Sequence, residues 1–546
     1  MALILLAYLA LGSAYALNTP LWQAPDEPAH FNYIRDLAQG RGFPVLQMGD
    51  YDQGYMEQIV AARFPQDMAI DRIRYESHQP PLYYLLQAPI FLSLEGRSLP
   101  EQVYTLRLFS LLLGALLLAT IYRAARLIVP GEPVLALGVT GLVAFIPQHL
   151  HISGSINNDI LGELLLSVVL LLLLVRMGRS GRVKGQGSRV RANGVQGSGS
   201  RVQATTDRVQ GPGSRVKATT DRVQGPGSRV QATTDRVQGP GSGVQATTPS
   251  PGFRSAEYAE RTDGFGNVGS PGLHPNPLPE GEGIVTLSRR EGACPERSEG
   301  VRVPLLLGLV LGLALLAKTT SYIALPLVPL ALGLGELLGG GVRWARLVTT
   351  TAAAYGVALA ISGWWFVRNV LVYGDLDLFG LVRHGEIVVG QPRVGVFDWG
   401  AAARFVTVSF QSFWAQFGWM GVPSDSRTYA IGGLLTLLSF VGLALLLVRE
   451  VREPSLSFYQ CAALGLLAVA FLLVSVGVVR YNLEFIQPQG RYFYPALLPA
   501  GIFAFLGLRQ FMGRHPALPT VLLSLSLFAL AAYNLWRVLI PGLAAP

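Results

Sequence analysis

Cysteine and charge are both scarce in this sequence. Only two cysteines, Cys294 and Cys461, occur among 546 residues. They lie far apart in different contexts, so neither a disulfide framework nor a metal site follows from them. Charged residues make up 14% of the chain, whereas hydrophobic residues make up 50%. The sequence contains no P-loop, metalloprotease or nucleophile-elbow motif, which excludes energy coupling by a cytoplasmic ATPase fold.

The formal net charge of +9 is concentrated in one segment. Nearly all the excess of Lys and Arg lies between Arg176 and Arg302, and the rest of the chain is close to neutral. The positive charge therefore does not indicate a nucleic-acid partner.

Long apolar runs dominate what remains. Runs of roughly 17–22 residues are long enough to cross a bilayer as helices. Because an unpaired backbone N–H or C=O group costs much free energy in lipid, a chain with such runs forms a bundle of helices. We predict an all-α polytopic membrane protein with about 11 transmembrane helices. The predicted spans are residues 1–17, 106–121, 134–146, 160–175, 303–317, 322–338, 347–365, 429–448, 458–478, 492–508 and 518–539.

The first apolar run resembles a signal peptide, because Ala14-Tyr15-Ala16 is similar to a cleavage site. A signal peptide requires a positively charged residue before its apolar run, but no Lys or Arg precedes this one. We therefore favour a first transmembrane helix.

Three domains are predicted from the spans and the segments between them. Residues 1–177 form an N-terminal module of four helices with a large external loop, 18–101, in which 81–91 is an interfacial helix. A short loop at 147–158 separates helices 3 and 4. Residues 178–302 are an insertion, and residues 303–546 hold helices 5–11 with a second external loop, 366–428. We expect no large soluble domain after the last helix.

The insertion carries a repeat of about 14 residues without an apolar period, rich in Gly, Ser, Pro, Thr and Arg. No such composition can bury a core, so we predict a disordered cytoplasmic segment. A basic tether to anionic lipid is the functional alternative.

Positive charges cluster after alternate spans. The positive-inside rule then places the N-terminus in the cytoplasm and the active face outside the cell membrane. It also puts every candidate site residue on that external side.

The chemistry-bearing residues have structural alternatives. Asp26 and Glu27 follow the first span, where charge is a functional candidate by default, yet both can cap the helix that begins near Pro28. Asp159 can cap helix 4, His30 and His78 can serve as packing or loop hydrogen-bonding residues, and Lys318 can extend its side chain to the membrane interface. Arg491 can pair with a carboxylate or hold a phosphate. These seven are the candidate site residues.

Several motifs in fixed order resemble the GT-C superfamily of polytopic glycosyltransferases, which use polyprenyl-phosphate-linked sugars. The motifs are Pro25-Asp26-Glu27, His78-Gln79-Pro80-Pro81-Leu82-Tyr83-Tyr84, Asn157-Asn158-Asp159, residues 313–318, Trp364-Trp365-Phe366-Val367-Arg368-Asn369, residues 412–419 and Gln489-Gly490-Arg491-Tyr492-Phe493-Tyr494-Pro495. Protein O-mannosyltransferases and the bacterial aminoarabinose transferase of lipid A are members, and the chain is most similar to a GT-C-related bacterial family of uncharacterised membrane proteins. The resemblance covers nearly all of the chain except the insertion.

The resemblance implies roles. Asp26 would be the catalytic base with Glu27 beside it, Asp159 would be a second acidic residue, and Lys318 and Arg491 would hold the donor phosphate. The reaction would be an inverting transfer of a hexosyl or pentosyl group to a lipid, glycan or protein acceptor of the cell envelope. The sequence reveals no metal-ligand cluster, although some members of the superfamily use a divalent metal. The missing C-terminal domain argues against an oligosaccharyltransferase-like enzyme.

Two other functions remain open at the level of sequence. A transporter or flippase also uses intramembrane charge, but no paired, broken helices in two related halves are visible. A non-catalytic membrane protein of envelope assembly is the third possibility.

Overall fold

The computed structural model describes residues 1–194, 295–393 and 398–544. Residues 195–294 of the predicted insertion lie outside the described residues, and so does the prediction made for them. The flanks of the predicted insertion, 178–194 and 295–302, differ from the expectation, because they continue α8 and begin α9. The helices are α1 Ala2–Asn18, α2 Glu27–Ala38, α3 Gln53–Ala61, α4 Leu82–Ser93, α5 Leu99–Ile128, α6 Pro133–Ala144, α7 Pro147–Ser153, α8 Asp159–Gly194, α9 Pro295–Leu315, α10 Ala324–Leu338, α11 Trp344–Tyr373, α12 Leu381–Ile387, α13 Trp399–Trp414, α14 Ser426–Arg452, α15 Phe458–Asn482, α16 Leu497–Arg509, α17 Ala517–Asn534 and α18 Ile540–Leu543.

Short turns and one small hairpin connect these helices. The 3-10 turns are Ile70–Arg72, Tyr75–His78, Thr319–Ile323 and Gly490–Ala496, a π turn covers Leu535–Leu539, and strands β1 Gln416–Phe417 and β2 Val422–Pro423 pair antiparallel. The architecture of the described residues is thus all-α, as predicted.

Eight helices of the described residues are long and apolar enough to cross a membrane, or up to nine if the bent pair α6 and α7 is one span. The predicted spans at 1–17 and 303–317 correspond to α1 and to the Arg302–Leu315 part of α9, which are shorter apolar helices. The prediction of a multi-span membrane bundle is confirmed, while the total of about 11 spans stays a prediction.

The segment after α6 differs from the sequence expectation. Residues 147–153 were predicted as loop, but they form α7, which bends 70° from α6. Pro147 lies in the first turn of α7, where a missing backbone N–H costs nothing. After α7, Asn157 and Asn158 contact the 18–101 segment, because the Asn157 N–H donates to the Tyr83 hydroxyl at 3.0 Å and the Asn158 amide donates to Gln79 Oε1 at 3.3 Å.

Residues 18–101, which were predicted to be an external loop, contain α2, α3, α4 and two 3-10 turns, and none of these helices is long enough to span a membrane. The side of the membrane on which this segment lies stays a prediction. A small apolar cluster gives this segment a core of its own, built on Met56, Ile59, Ile73 and Tyr75 with Ala29 of α2. A much larger apolar cluster, which includes α1, α5, α8 and α16, forms the core of the bundle. The small cluster reaches the candidate site through Tyr75, whose hydroxyl donates to Asp26.

Candidate functional site

Asp26 precedes α2 in a left-handed backbone conformation, with φ of 66°. Aspartate tolerates this region better than most residues, and such outliers cluster at functional sites. Although Asp26 occupies the N-cap position, its side chain makes no capping hydrogen bond. Tyr75 instead donates its hydroxyl to Asp26 Oδ1 at 2.6 Å, and Arg491 pairs with Oδ2. The capping alternative therefore does not account for this carboxylate.

Four charged side chains of alternating sign meet at this point. Arg491 pairs with Asp26, and its Nη1 lies 4.0 Å from Asp159 Oδ2. Lys318 pairs with Asp159 and also donates to Asn158 Oδ1 at 3.0 Å. The order is Asp26, Arg491, Asp159, Lys318. The structure thus brings together four residues that are distant in sequence, and we call them the charged row.

The position of Arg491 depends on the glycine before it. A Cβ at Gly490 would lie 2.2 Å from the backbone nitrogen of Phe413 and 2.3 Å from the carbonyl oxygen of Ser409, both on α13. Only glycine allows this close approach. Ser412 also accepts a hydrogen bond from the Gly490 backbone N–H at 2.7 Å. The 3-10 turn is therefore fixed against α13, and Arg491 projects from it toward Asp26.

Arg491 retains donor capacity although its side chain is only 5% exposed. Its Nη1 makes no hydrogen bond to any residue that the structure describes. A buried guanidinium nitrogen without a partner costs free energy unless a ligand or water satisfies it. An oxyanion that approaches the Nη1 of Arg491 would supply that partner.

Burial and charge act in opposite directions on Asp26. Burial favours its neutral form, but the positive charge of Arg491 and the hydrogen bonds from Tyr75 and Arg491 outweigh burial and lower the pKa of Asp26. Asp26 is therefore ionised at neutral pH.

Asp26, His30 and Glu76 can offer one ligand atom each, and these atoms all lie within 4.8 Å of one another. The Tyr84 hydroxyl lies 2.9 Å from Nδ1 of His30 and fixes the orientation of the ring, which leaves Nε2 for a metal. Metal-bound histidines are commonly fixed through their second nitrogen in this way. Burial lowers the pKa of His30 to about 3, so its imidazole is neutral, as a metal ligand requires.

Glu76 completes this candidate metal cluster. Its Oε2 is buried without a hydrogen-bond partner among the described residues. Burial and the neighbouring negative charge of Asp26 raise the pKa of Glu76 to about 7. An orphaned carboxylate oxygen and a mixed nitrogen and oxygen donor set both fit a divalent cation. The separation of residues 26, 30 and 76 in sequence concealed this cluster.

Glu27 points away from the charged row into a fully buried ion pair with Arg107 of α5. Arg107 Nε and Nη2 donate to the two carboxylate oxygens at 2.7 and 2.6 Å. Its remaining N–H groups donate to the carbonyl oxygens of Ala16, Thr19 and Pro20, so all five have acceptors. The available signal for Arg107 in the sequence was that a charged residue lies near the start of an apolar helix.

Glu27 also accepts two backbone hydrogen bonds. The N–H of Trp22 donates to Oε2 at 3.1 Å, and that of Ile156 donates to Oε1 at 3.2 Å. Ile156 lies three residues before Asp159. The buried pair therefore connects the end of α1, the start of α2 and the loop that leads to Asp159.

His78 lies in the 3-10 turn that also carries Tyr75 and Glu76. Its Nδ1 is 3.0 Å from the Tyr75 carbonyl oxygen, as the loop hydrogen-bonding alternative predicts. Its ring contacts His384 of α12 at 4.6 Å between centroids. Burial lowers the pKa of His78 well below its usual value, so the ring is neutral.

Sequence reasoning missed Tyr75, Glu76, Asn158 and Arg107 as members of this site. Tyr75 and Glu76 lie only two to three residues before His78, and Asn158 directly precedes Asp159. For Tyr75, Glu76 and Asn158, the available signal in the sequence was therefore their position next to a candidate site residue.

No protein-family model matches the sequence, and no curated protein sequence matches it either. The structure is similar to two kinds of solved protein. ArnT from Cupriavidus metallidurans bound to undecaprenyl phosphate is 14% identical with a TM-score of 0.45, and the match covers 100% of this chain and 74% of that one. The apo oligosaccharyltransferase of Archaeoglobus fulgidus is 12% identical with a TM-score of 0.41, and 99% of this chain is covered.

The same archaeal enzyme, AglB, in complex with an inhibitory peptide and a dolichol-phosphate gives 11% identity and a TM-score of 0.41. This chain spans only 56% of the length of the archaeal protein. ArnT was solved with undecaprenyl phosphate and AglB with a dolichol-phosphate, so both of these neighbours bind a polyprenyl phosphate. The identities and TM-scores are low, so a proposal about function depends on the side chains of the site itself.

Proposed function

We propose that this protein is a membrane glycosyltransferase that moves a sugar from a polyprenyl-phosphate carrier to an envelope acceptor on the external face of the cell membrane. The charged row is the observation that supports this proposal. It presents two cations to a phosphate and an ionised carboxylate to an acceptor, next to a bundle of apolar helices. A carrier with an apolar tail and a phosphate head requires that combination.

The reaction is an inverting displacement at the anomeric carbon of a hexosyl or pentosyl group. The acceptor oxygen forms a bond to this carbon while the bond from the carbon to the phosphate oxygen breaks, and the electron pair leaves with the phosphate. The phosphate charge rises from one to two negative units. Lys318 and Arg491 stabilise this developing charge, an effect that preorganised cations exert most strongly in a partly buried site.

Asp26 accepts the proton of the acceptor hydroxyl as the general base. Its lowered pKa makes it a weak base, which contributes less than one poised near neutral pH. A weak base suffices when the proton leaves late, after the acceptor oxygen has begun to bond and has become acidic. We expect an oxocarbenium-like transition state, in which this bond forms late.

The other candidate residues support these two functions. Asp159 contacts both cations and orients them toward the phosphate. Glu27 positions Asp26 through Arg107. His30 and His78 line the substrate side of the external loop as neutral hydrogen-bonding rings.

A divalent metal is compatible with this site. Asp26, His30 and Glu76 would hold it, and it would neutralise charge on the leaving phosphate as a Lewis acid. The formal charges of the two carboxylates and the two cations in the row cancel, so a cation from solution would add positive charge for a dianionic phosphate.

Replacing Asp26 by Asn tests the proposal. Membranes that contain the wild type should transfer a radiolabelled sugar from a polyprenyl-phosphate carrier, and the Asn variant should retain less than about one hundredth of that rate because the amide accepts no proton. Asn also tolerates the left-handed backbone, so the loop should keep its conformation. Equal activity of variant and wild type, or no transfer from any carrier-linked sugar by either, would contradict the proposal.

A further inference from the structure

Four tyrosines form two ring pairs next to Asp26 and Arg491 of the charged row, and we call them the tyrosine collar. They are Tyr51 and Tyr75 of the external loop, Tyr481 at the end of α15 and Tyr492 next to Arg491. Tyr51 and Tyr75 meet edge to face at 5.6 Å between centroids, and Tyr481 and Tyr492 do so at 5.7 Å. Apart from the Tyr75 hydroxyl on Asp26, these rings have no part in the proposed displacement.

Tyr481 is the member of the collar whose hydroxyl is available for a ligand. Its ring also contacts Phe485 at 5.2 Å, but its hydroxyl makes no hydrogen bond to any residue within the described ranges. The hydroxyl lies within electrostatic range of Asp26, Glu76 and Arg491. The residue is half-buried, so part of its surface is accessible.

The collar has a definite place relative to the phosphate-binding cations. The guanidinium of Arg491 lies over the Tyr492 ring, 5.5 Å from its centroid. A group that is bonded directly to a phosphate held by Arg491 therefore reaches the collar. In the donor, that group is the sugar ring.

A pyranose has an apolar C–H face and a polar edge of hydroxyl groups. The negative face of an aromatic ring attracts the partly positive C–H groups, and carboxylates accept hydrogen bonds from the hydroxyls. The collar offers the rings, while Asp26 and Glu76 offer the acceptors. This combination is selective for a sugar over a bare phosphate.

We propose that the tyrosine collar binds the pyranose ring of the transferred sugar, with Tyr481 contacting its C–H face. The proposal rests on the proposed function, because it assumes a phosphate-linked sugar in this site. It makes Tyr481 a residue that determines whether the loaded carrier binds more tightly than the bare one.

The test compares two probes on the purified full-length protein in nanodiscs. One probe is undecaprenyl phosphate, and the other is undecaprenyl phosphate linked to a hexose. Wild type should bind the linked probe more tightly. Tyr481→Leu should weaken the linked probe by about tenfold while it changes binding of the bare probe less than about twofold.

Two further variants separate recognition from folding. Tyr481→Phe keeps the ring and should lose less than about threefold of affinity for the linked probe. Tyr122→Leu removes a half-buried tyrosine near the far end of α5 from Arg107 and should change neither affinity. This control reports the effect of losing one tyrosine from the bundle.

The outcomes distinguish the two proposals. An equal loss for both probes in Tyr481→Leu, or no loss for either, overturns the sugar subsite and leaves the carrier function standing. Equal binding of both probes by wild type also overturns the sugar subsite and leaves the carrier function standing. Failure of wild type to bind either probe overturns both proposals.

Discussion

At the scale of single residues, the site is defined by groups whose partners are only partly supplied by the protein. Arg491 has an unsatisfied Nη1 and Glu76 has an unsatisfied Oε2, both within the described part of the chain. Buried polar groups are nearly always paired, so such exceptions call for an explanation. A phosphate oxygen and a metal ion are ligands of the matching charge.

Lys318 offers a direct test of phosphate binding. Lys318→Gln should weaken the binding of undecaprenyl phosphate by about ten- to a hundredfold, because a hydrogen bond to a charged group contributes about 1.5–3 kcal/mol. The measurement is equilibrium binding in nanodiscs. Arg480→Gln is the matched control, since Arg480 is 71% exposed and pairs with Glu484. If both variants bind as wild type does, Lys318 is not a phosphate ligand.

Glu76 tests the candidate metal cluster independently of transfer. Mn²⁺ should bind the wild-type protein, and Glu76→Gln should weaken that binding by at least about tenfold, because it removes one of three ligands. Electron paramagnetic resonance of free Mn²⁺ measures it. Glu57→Gln removes an exposed carboxylate of the same loop and should have no effect. Unchanged Mn²⁺ affinity in Glu76→Gln would contradict the assignment.

At the scale of elements, the buried pair of Glu27 and Arg107 determines how the acidic segments meet. It ties the last turn of α1 to the start of α2 and to the loop before α8. A buried pair is weak evidence for stability as such, but removing one partner leaves an uncompensated charge. The pair therefore fixes the distance between the Asp26 and Asp159 segments.

A double-mutant cycle on this pair measures the effect. Glu27→Gln or Arg107→Gln alone should destabilise the protein by about 3–5 kcal/mol, and the double variant should lose clearly less than the sum. The exposed pair Arg97 and Glu101 serves as control, with an expected coupling below about 1 kcal/mol. Thermal or denaturant unfolding in detergent gives the values. Strict additivity of the two Gln variants would show that the contact has no energetic role.

At the scale of the whole molecule, the chain consists of a described helical bundle and a repetitive segment of different composition. The repeats between residues 200 and 250 carry no apolar period with which to join the bundle core. The helices on the two sides of this segment, α8 and α9, pack against each other. In addition, α8 packs against α10 and α9 packs against α11.

Removing residues 195–294 tests the prediction made for the insertion. Their replacement by a flexible linker of about ten Gly and Ser residues should leave the unfolding temperature and transfer rate within experimental error of wild type. Size-exclusion chromatography in detergent and the carrier transfer assay provide the readouts. Aggregation or loss of transfer would show that the repeats contribute to the folded protein.

The sequence was sufficient for features that depend on local composition. Apolar runs predicted the helices of the bundle, since a helix is the only way for such runs to satisfy their backbone in lipid. Motif order and the distribution of Arg and Lys predicted that Asp26, Asp159, Lys318 and Arg491 share one side. In the structure these four residues contact one another as the charged row, while the side of the membrane that they face stays a prediction.

Only the tertiary structure decided what each carboxylate does. Asp26 and Glu27 are adjacent and chemically alike, so no local signal separates them. The αL conformation of Asp26 turns its carboxylate toward Arg491 and Tyr75, while Glu27 enters the core to meet Arg107 from a helix 80 residues away in sequence. Periodicity and spacing describe neighbours along the chain, whereas ion pairs and metal clusters join residues through space, and their partners are fixed only when the helices pack.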